Sequence, residues 1–282
     1  MSFLTPRELV VGSVELNSLP EVYTRINDLV DDPYCSAEDV SRVASQDPSL
    51  TTRLLKLVNS PFYGFASTID TVSRAIAVIG MRELRDLVLA TSVTRMFKGI
   101  PSDLVDMTQF WKQSIYCGLI ARALSRQRDA AHGERMFVAG MLHKIGALIL
   151  YKKIPELSRE SLSRVQFNNE VLYLVENEVI GFNHADVGGE LIRQWKLPAN
   201  LVAAVAHHLS PKDKGDNSSE TSTVHLANLI TTAIRPEHKE VIPPLDPTAW
   251  DIAGCPPELL DAVIEEANTQ LSSTYALIRC DH

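Results

Sequence analysis

Apolar residues recur along this chain at spacings of three and four, the period of a helix, and alternation at a spacing of two is absent from any convincing length. Leu50, Leu54, Leu57 and Val58 make one such face, Leu84, Leu87, Val88 and Thr91 a second, and Trp111, Ile115, Gly118 and Leu119 a third. Start and stop signals divide the pattern. Ser36 with Asp39 reads as a capping box, and Asp47-Pro48 stops one helix and begins the next, proline suiting a first turn. Further helices are predicted at about 70–79, closed by Gly80, at 82–97 and at 107–126. The apolar run 136–151, which carries His143 and Lys144, predicts another, and Pro155 opens the next. Asn183 with Asp186 caps a helix at 184–196, Pro198 begins 199–209, and 222–234 and an amphipathic 257–278 complete the series. The stretch 211–220 is polar and rich in breakers, which predicts a loop, and 235–257 holds six prolines and no helical period. With no strand and no internal repeat, the expected architecture is all-α, multi-helical and less regular than a bundle.

Composition narrows the function classes. A chain of 282 residues with 45% hydrophobic and 22% charged residues can bury a large core. Its net charge of −8 gives no general attraction to a polyanion, and the arginines between Arg74 and Arg95 are interleaved with Glu83 and Asp86, so nucleic acid is not an expected partner. Met1 to Glu8 lacks a basic-then-apolar leader, and His143 and Lys144 break the apolar run at 136–151 well short of a membrane span. A cytoplasmic protein without a membrane partner is expected. Cys35, Cys117, Cys255 and Cys280 are scattered and read as reduced structural thiols.

Four blocks carry a resemblance. They are Ser18-Leu-Pro20, Gln46-Asp-Pro48 through Asn59-Ser-Pro-Phe-Tyr-Gly64, Ser73 to Gly80 with its Ala-Ile-x-x-Ile-Gly helix end, and Phe137 to Leu150 followed by Trp195-Lys-Leu-Pro198 and His207-His208. Together they resemble the HDOD family, a degenerate relative of the His-Asp metal-dependent phosphohydrolases, over about residues 15–235. The resemblance implies an N-terminal helical subdomain at 15–104 packed on an HD-like subdomain at 105–235. Residues 236–282 would add a proline-rich connection and a C-terminal helix. It also implies a bacterial regulatory or signal-transduction module, commonly without enzymatic activity.

The ancestral metal site is compared position by position through that resemblance. The pair that would be His-Asp reads His143-Lys144, the first metal histidine falls on Gln113 or Ser114, and the closing aspartate falls on Asn228. An ammonium repels a divalent ion by about 4 kcal/mol per unit charge at roughly 4 Å and an effective dielectric near 20. His143, His184, His207 and His208 match further ligand positions of the multi-histidine branch, and imidazoles suit zinc, nickel or iron better than magnesium. His184 opens its helix, where exposed N–H groups favour an anion, and His207 and His208 stand about 100° apart in projection. Glu134, Asp186 and Glu190 are the acids nearest in sequence that could rebuild a site. Core packing and hydrogen bonding compete with ligation for each histidine, and Lys144 could hold a phosphate or simply reach solvent. No cofactor is expected; a transition-metal ion at the histidines is the alternative. Asn59, Pro61 and Gly64 are expected to serve their turn, Asn and Gly by unusual backbone angles. Phe62, Tyr63 and Phe65 could present an interaction surface, with core packing the competing fate of at least two.

Three functions follow, in this order: a non-catalytic regulatory module that binds another signalling protein, a residual metal-dependent phosphohydrolase acting on nucleotides or cyclic dinucleotides, and a sensor pocket for a phosphorylated small molecule.

Overall fold

A computed structural model describes residues 4–11, 19–128, 133–211, 218–235 and 241–278. Ser18, most of the loop expected at 211–220, Pro236 and Cys280 lie outside these described residues. The chain is all-α, with no strand among the described residues. It divides into two compact units: residues 18–96 with 268–282, and residues 1–17 with 97–267. The division thus falls at 96/97, ahead of the expected 104/105.

The first of these units contains α2 (Glu21–Val30), α3 (Ala37–Ala44), α4 (Pro48–Val58), α5 (Val72–Ile79) and α6 (Met81–Val93). Its local signals act as the sequence suggested. Ser36 Oγ accepts the Asp39 amide while the Asp39 carboxylate accepts the Ser36 amide, and Asp47 accepts the Leu50 amide ahead of Pro48. Leu50, Leu54, Leu57 and Val58 are fully buried, so α4 turns the expected face into the core. α6 ends at Val93, short of the expected 97, because residues 94–96 form turns. The tight turn after α4 works differently from expectation. Asn59 has ordinary angles (φ −86°, ψ 3°), and its side chain does the joining: Nδ2 donates to Leu55 O and Ile69 O, both at 2.7 Å, and Oδ1 accepts the Ile69 amide at 2.7 Å. Gly64 supplies the positive φ, +66°.

The second unit contains α1 (Pro6–Val11), α7 (Met107–Arg128), α8 (Gly133–Leu142), α9 (Ile145–Lys153), α10 (Pro155–Asn168), α11 (Leu172–Val179), α12 (His184–Gln194), α13 (Ala199–His207), α14 (Ser218–Ile234) and α15 (Ala249–Ala253). α16 (Leu260–Ile278) begins in this unit and passes at Ala267 into the other. Its Glu266 pairs with Arg122 and Arg126. α7 is buried on every side from Phe110 to Ser125 apart from Lys112, which makes it the axis of the unit. The apolar run at 136–151 is two helices: the chain breaks at His143-Lys144, between α8 and α9. Close backbone approach fixes both. A β-carbon on Gly140 would stand 2.7 Å from Cys117 O in α7, and one on Gly146 would stand 2.1 Å from His184 O in α12. α10 and α11 share a small core of Val165, Leu172 and Val175 with Leu162 and Val179. α1, α2, α11 and α15 have no counterpart among the expected helices.

Candidate functional site

The break between α8 and α9 aims two consecutive side chains inward. His143 is 1% exposed and Lys144 4%. α12 contributes His184, the end of α13 His208, α7 Gln113 and α14 Asn228, all buried. Six of the seven pocket residues expected from the sequence therefore come together. His207 does not join them: consecutive helical residues diverge by about 100°, and while His208 turns fully inward, His207 stays half-buried.

Hydrogen bonds fix how each imidazole is presented. His143 Nδ1 donates to Gly140 O at 2.6 Å, and His208 Nδ1 donates to Val205 O at 2.8 Å. His184 Nδ1 donates to Glu176 Oε2 at 2.6 Å, and the same oxygen accepts the His184 amide at 2.9 Å. Glu176 is thus the anion that the start of α12 was expected to favour. Each Nδ1 faces an oxygen that accepts, so each ring carries a proton there. The rings of His143 and His208 meet edge to face at 5.1 Å, and those of His184 and His208 lie 5.8 Å apart. Nε2 of His184 and Nε2 of His208 are buried without a hydrogen-bond partner. His143 Nε2 lies 3.2 Å from Asn228 Oδ1.

Lys144 Nζ donates to Gln113 Oε1 at 3.4 Å, and Gln113 Nε2 donates to Arg235 O at 2.9 Å. Burial, then the Lys144 charge, pushes His143 down to about 3. Burial, then His143 and His184, holds His208 well below its usual value. Burial lifts the Cys117 thiol to about 12. His225, next to the cluster, is satisfied on both sides: its Nδ1 donates to His208 O at 2.7 Å and its Nε2 accepts the Asp246 amide at 3.1 Å.

The acids considered as replacement ligands are engaged elsewhere. Glu134 pairs with Arg122, Asp186 caps the Asn183 amide, and Glu190 pairs with Arg193. The carboxylate that does reach the cluster, Glu176, was missed. Its sequence signal is an acid on the apolar face Leu172, Val175, Val179 of α11, at helical spacing.

The divalent ion that the resemblance implies does not fit this arrangement. Among the described residues, no group of three or more His, Cys, Asp or Glu is placed to hold a metal ion. An amide stands at Asn228 and an ammonium at Lys144, where carboxylates would neutralise the ion. The indentation beside Lys144, His184 and Asn228, walled by Leu172, Tyr173 and Pro243, does not admit a water molecule.

Among the expected surface aromatics, Phe62 is core, 1% exposed, because the turn folds it beneath α4's end. Tyr63 is half-buried and stacks on Phe65 at 5.4 Å with an interplanar angle of 11°, and Phe65 is 39% exposed. Among the described residues, no helix is long and apolar enough to cross a membrane.

Comparison with known proteins completes the description. A Treponema pallidum (strain Nichols) protein, itself uncharacterized, is 26% identical over 218 residues; the match spans 76% of this chain and 42% of that relative's length. Three solved structures share the fold. One is a candidate phosphohydrolase from Shewanella amazonensis SB2B (24% identity, 96% of this chain and 97% of that one, TM-score 0.72). Another is an HDOD domain protein with unknown function from Geobacter sulfurreducens (20%, 92% and 91%, TM-score 0.71). The third is a candidate signal transduction protein from Marinobacter aquaeolei VT8 (20%, 92% and 58%, TM-score 0.72). The HDOD domain family itself matches residues 16–211, well over half the chain, and this chain belongs to that family.

Proposed function

We propose that this HDOD chain is a non-catalytic regulatory module that acts by binding another signalling protein. The observation that carries the reading is the closed cluster: His143, Lys144, His184, His208 and Asn228 are all buried at 4% exposure or less, beside an indentation too small for water. Hydrolysis of a phosphate ester needs an activated water and room for the ester, and metal-assisted hydrolysis needs an ion that lowers the pKa of that water. The donors present support neither. The same lack of space weighs against a phosphorylated small molecule held by Lys144.

Binding then falls to a surface. The stacked Tyr63–Phe65 pair, at the tip of a turn held from behind by Asn59, is an aromatic feature of the kind that anchors interfaces. Two experiments test the reading. Purified protein, with magnesium or manganese supplied, should hydrolyse neither p-nitrophenyl phosphodiesters nor cyclic dinucleotides above background. Robust turnover abolished by His143→Ala overturns the non-catalytic reading. Capture of a partner from cell lysate should weaken in Tyr63→Ala and Phe65→Ala while their circular dichroism stays that of the parent; undiminished capture by both places the interface elsewhere.

A further inference from the structure

We infer that α14, α15 and the start of α16 form a binding pocket for an aliphatic molecule, a medium-length hydrocarbon chain with an uncharged end. The cavity there measures about 430 Å³, within the range of small-molecule sites. It begins as a stripe on α14. Leu226, Leu229, Ile230, Ala233 and Ile234 recur at i, i+3, i+4, i+7 and i+8, so all five share one side of the helix, while His225 and Asn228 bond to the histidine cluster.

The other walls come from three separate segments: Ile242 and Leu245 after α14, Trp250 of α15, and Leu260 and Ile264 of α16. Hydrogen bonds hold the first of these in place. His225 Nε2 accepts the Asp246 amide at 3.1 Å, and Asp246 Oδ1 accepts the Thr248 amide at 2.9 Å and the Thr248 hydroxyl at 2.7 Å. The pocket is therefore built without a ligand, as small-molecule sites usually are. Exposure marks its mouth: Ile234 is 40% exposed and Ile242 and Leu245 50% each, whereas Leu226 at the other end of the stripe is buried. Large aliphatic side chains gathered at one opening mark a place where something apolar binds.

The lining states the chemistry of the occupant. Among the described residues no charged side chain lines the pocket, and the indole N–H of Trp250 is the one polar side-chain group there. A phosphate, sugar or carboxylate inside would lose its hydrogen bonds to water without replacement, so the enclosed part of the ligand is hydrocarbon. From Leu226 to Ile234 the stripe runs about 12 Å at 1.5 Å per residue, the reach of a chain of about ten carbons. Asp251 and Asp261 are exposed, and each follows a lining residue in sequence, which disfavours a carboxylate end. None of the lining residues belongs to the histidine cluster or to the Tyr63–Phe65 pair, so the inference is independent of the function proposed above.

The test titrates the full chain with 1-decanol, below its solubility limit, and follows binding by calorimetry. Binding should saturate at one molecule per chain. Each methylene removed should weaken it about 3–4-fold, which makes 1-hexanol weaker by about 100-fold or more. Decanoate should bind at least about 10-fold more weakly than decanol. Ala233 is exposed at the mouth, so Ala233→Trp places its ring in the pocket and should weaken decanol at least about 10-fold. A second measurement uses the wall itself: 10-bromo-1-decanol should quench part of the tryptophan fluorescence saturably, and Trp250→Phe should remove that part. Absence of saturable binding overturns the inference, as does undiminished binding by a folded Ala233→Trp or quenching that persists in Trp250→Phe. Decanoate binding as tightly as decanol overturns the uncharged end. Dimerisation of the wild type that Ala233→Trp abolishes would make this face an interface between two copies and overturn the inference too.

Discussion

Acid should destabilise this chain, and His143 sets how much. Burial and the neighbouring ammonium hold its imidazole at about 3, against 6.5 for an unconstrained ring. The folded chain therefore stays unprotonated at pH values where the unfolded chain takes up a proton. That stabilisation is fully present above about pH 6.5 and is lost progressively as pH falls toward 3. Between pH 7 and pH 5 the linkage amounts to about 2 kcal/mol from this one residue, with a limiting slope of about 1.4 kcal/mol per pH unit. His208, also pushed down by burial, adds in the same direction. Urea unfolding of the wild type and of His143→Gln at pH 7, 6 and 5 measures the effect. Glutamine does not titrate, so the difference between the two proteins' pH dependences isolates the imidazole from surface carboxylates, which both proteins share. The wild type should lose about 2 kcal/mol more than the variant across that range. Parallel curves would show that His143 protonates in the folded chain and that the cluster is open to water.

Three further expectations follow from particular contacts. Asn59→Ala removes three hydrogen bonds, two to Ile69 and one to Leu55 O, and should cost about 1–3 kcal/mol in urea unfolding, because the Ile69 amide and carbonyl lose their partner; an unchanged midpoint would show that water replaces them freely. Gly80→Val and Gly64→Val should each destabilise by about 1–3 kcal/mol, since both glycines hold positive φ (+100° and +66°), and equal melting temperatures with the wild type would refute the strain. Gly146→Ala should cost at least about 3 kcal/mol, because its β-carbon would collide with backbone rather than with a side chain able to move, and a small loss would mean that α9 and α12 separate easily.

Much of the fold could be read from local chemistry, and the departures share a physical cause. Ser36 with Asp39, Asp47 with Pro48 and Asn183 with Asp186 are contacts within three residues, so the sequence displays them directly. The break at His143-Lys144 leaves no such trace. Apolar residues resume directly after these two polar positions with no capping signal between, and the close approaches of Gly140 to α7 and of Gly146 to α12 are made with residues far away in sequence. The structure brings together His143, Lys144, His184, His208, Gln113 and Asn228, positions that the resemblance aligned. His207 was included because adjacency in sequence conceals the rotation of a helix. Glu176 is hard to read from sequence because it supports His184 from behind, across the loop from α11 to α12, eight residues away. Phe62 and Asn59 show a related limit: composition marks a turn, whereas which ring is covered and which amide bridges depend on residues ten positions away.

The Asn59 clamp has a consequence for how this fold can diversify. Its three bonds grip Leu55 at the end of α4 and Ile69 where the chain returns, and the exposed positions 65–68 at the tip lie outside that clamp. Positions 65–68 at that tip can therefore exchange side chains as a display, under a foundation that does not depend on them. Among chains sharing this base, the tip can change its side chains at little cost to folding.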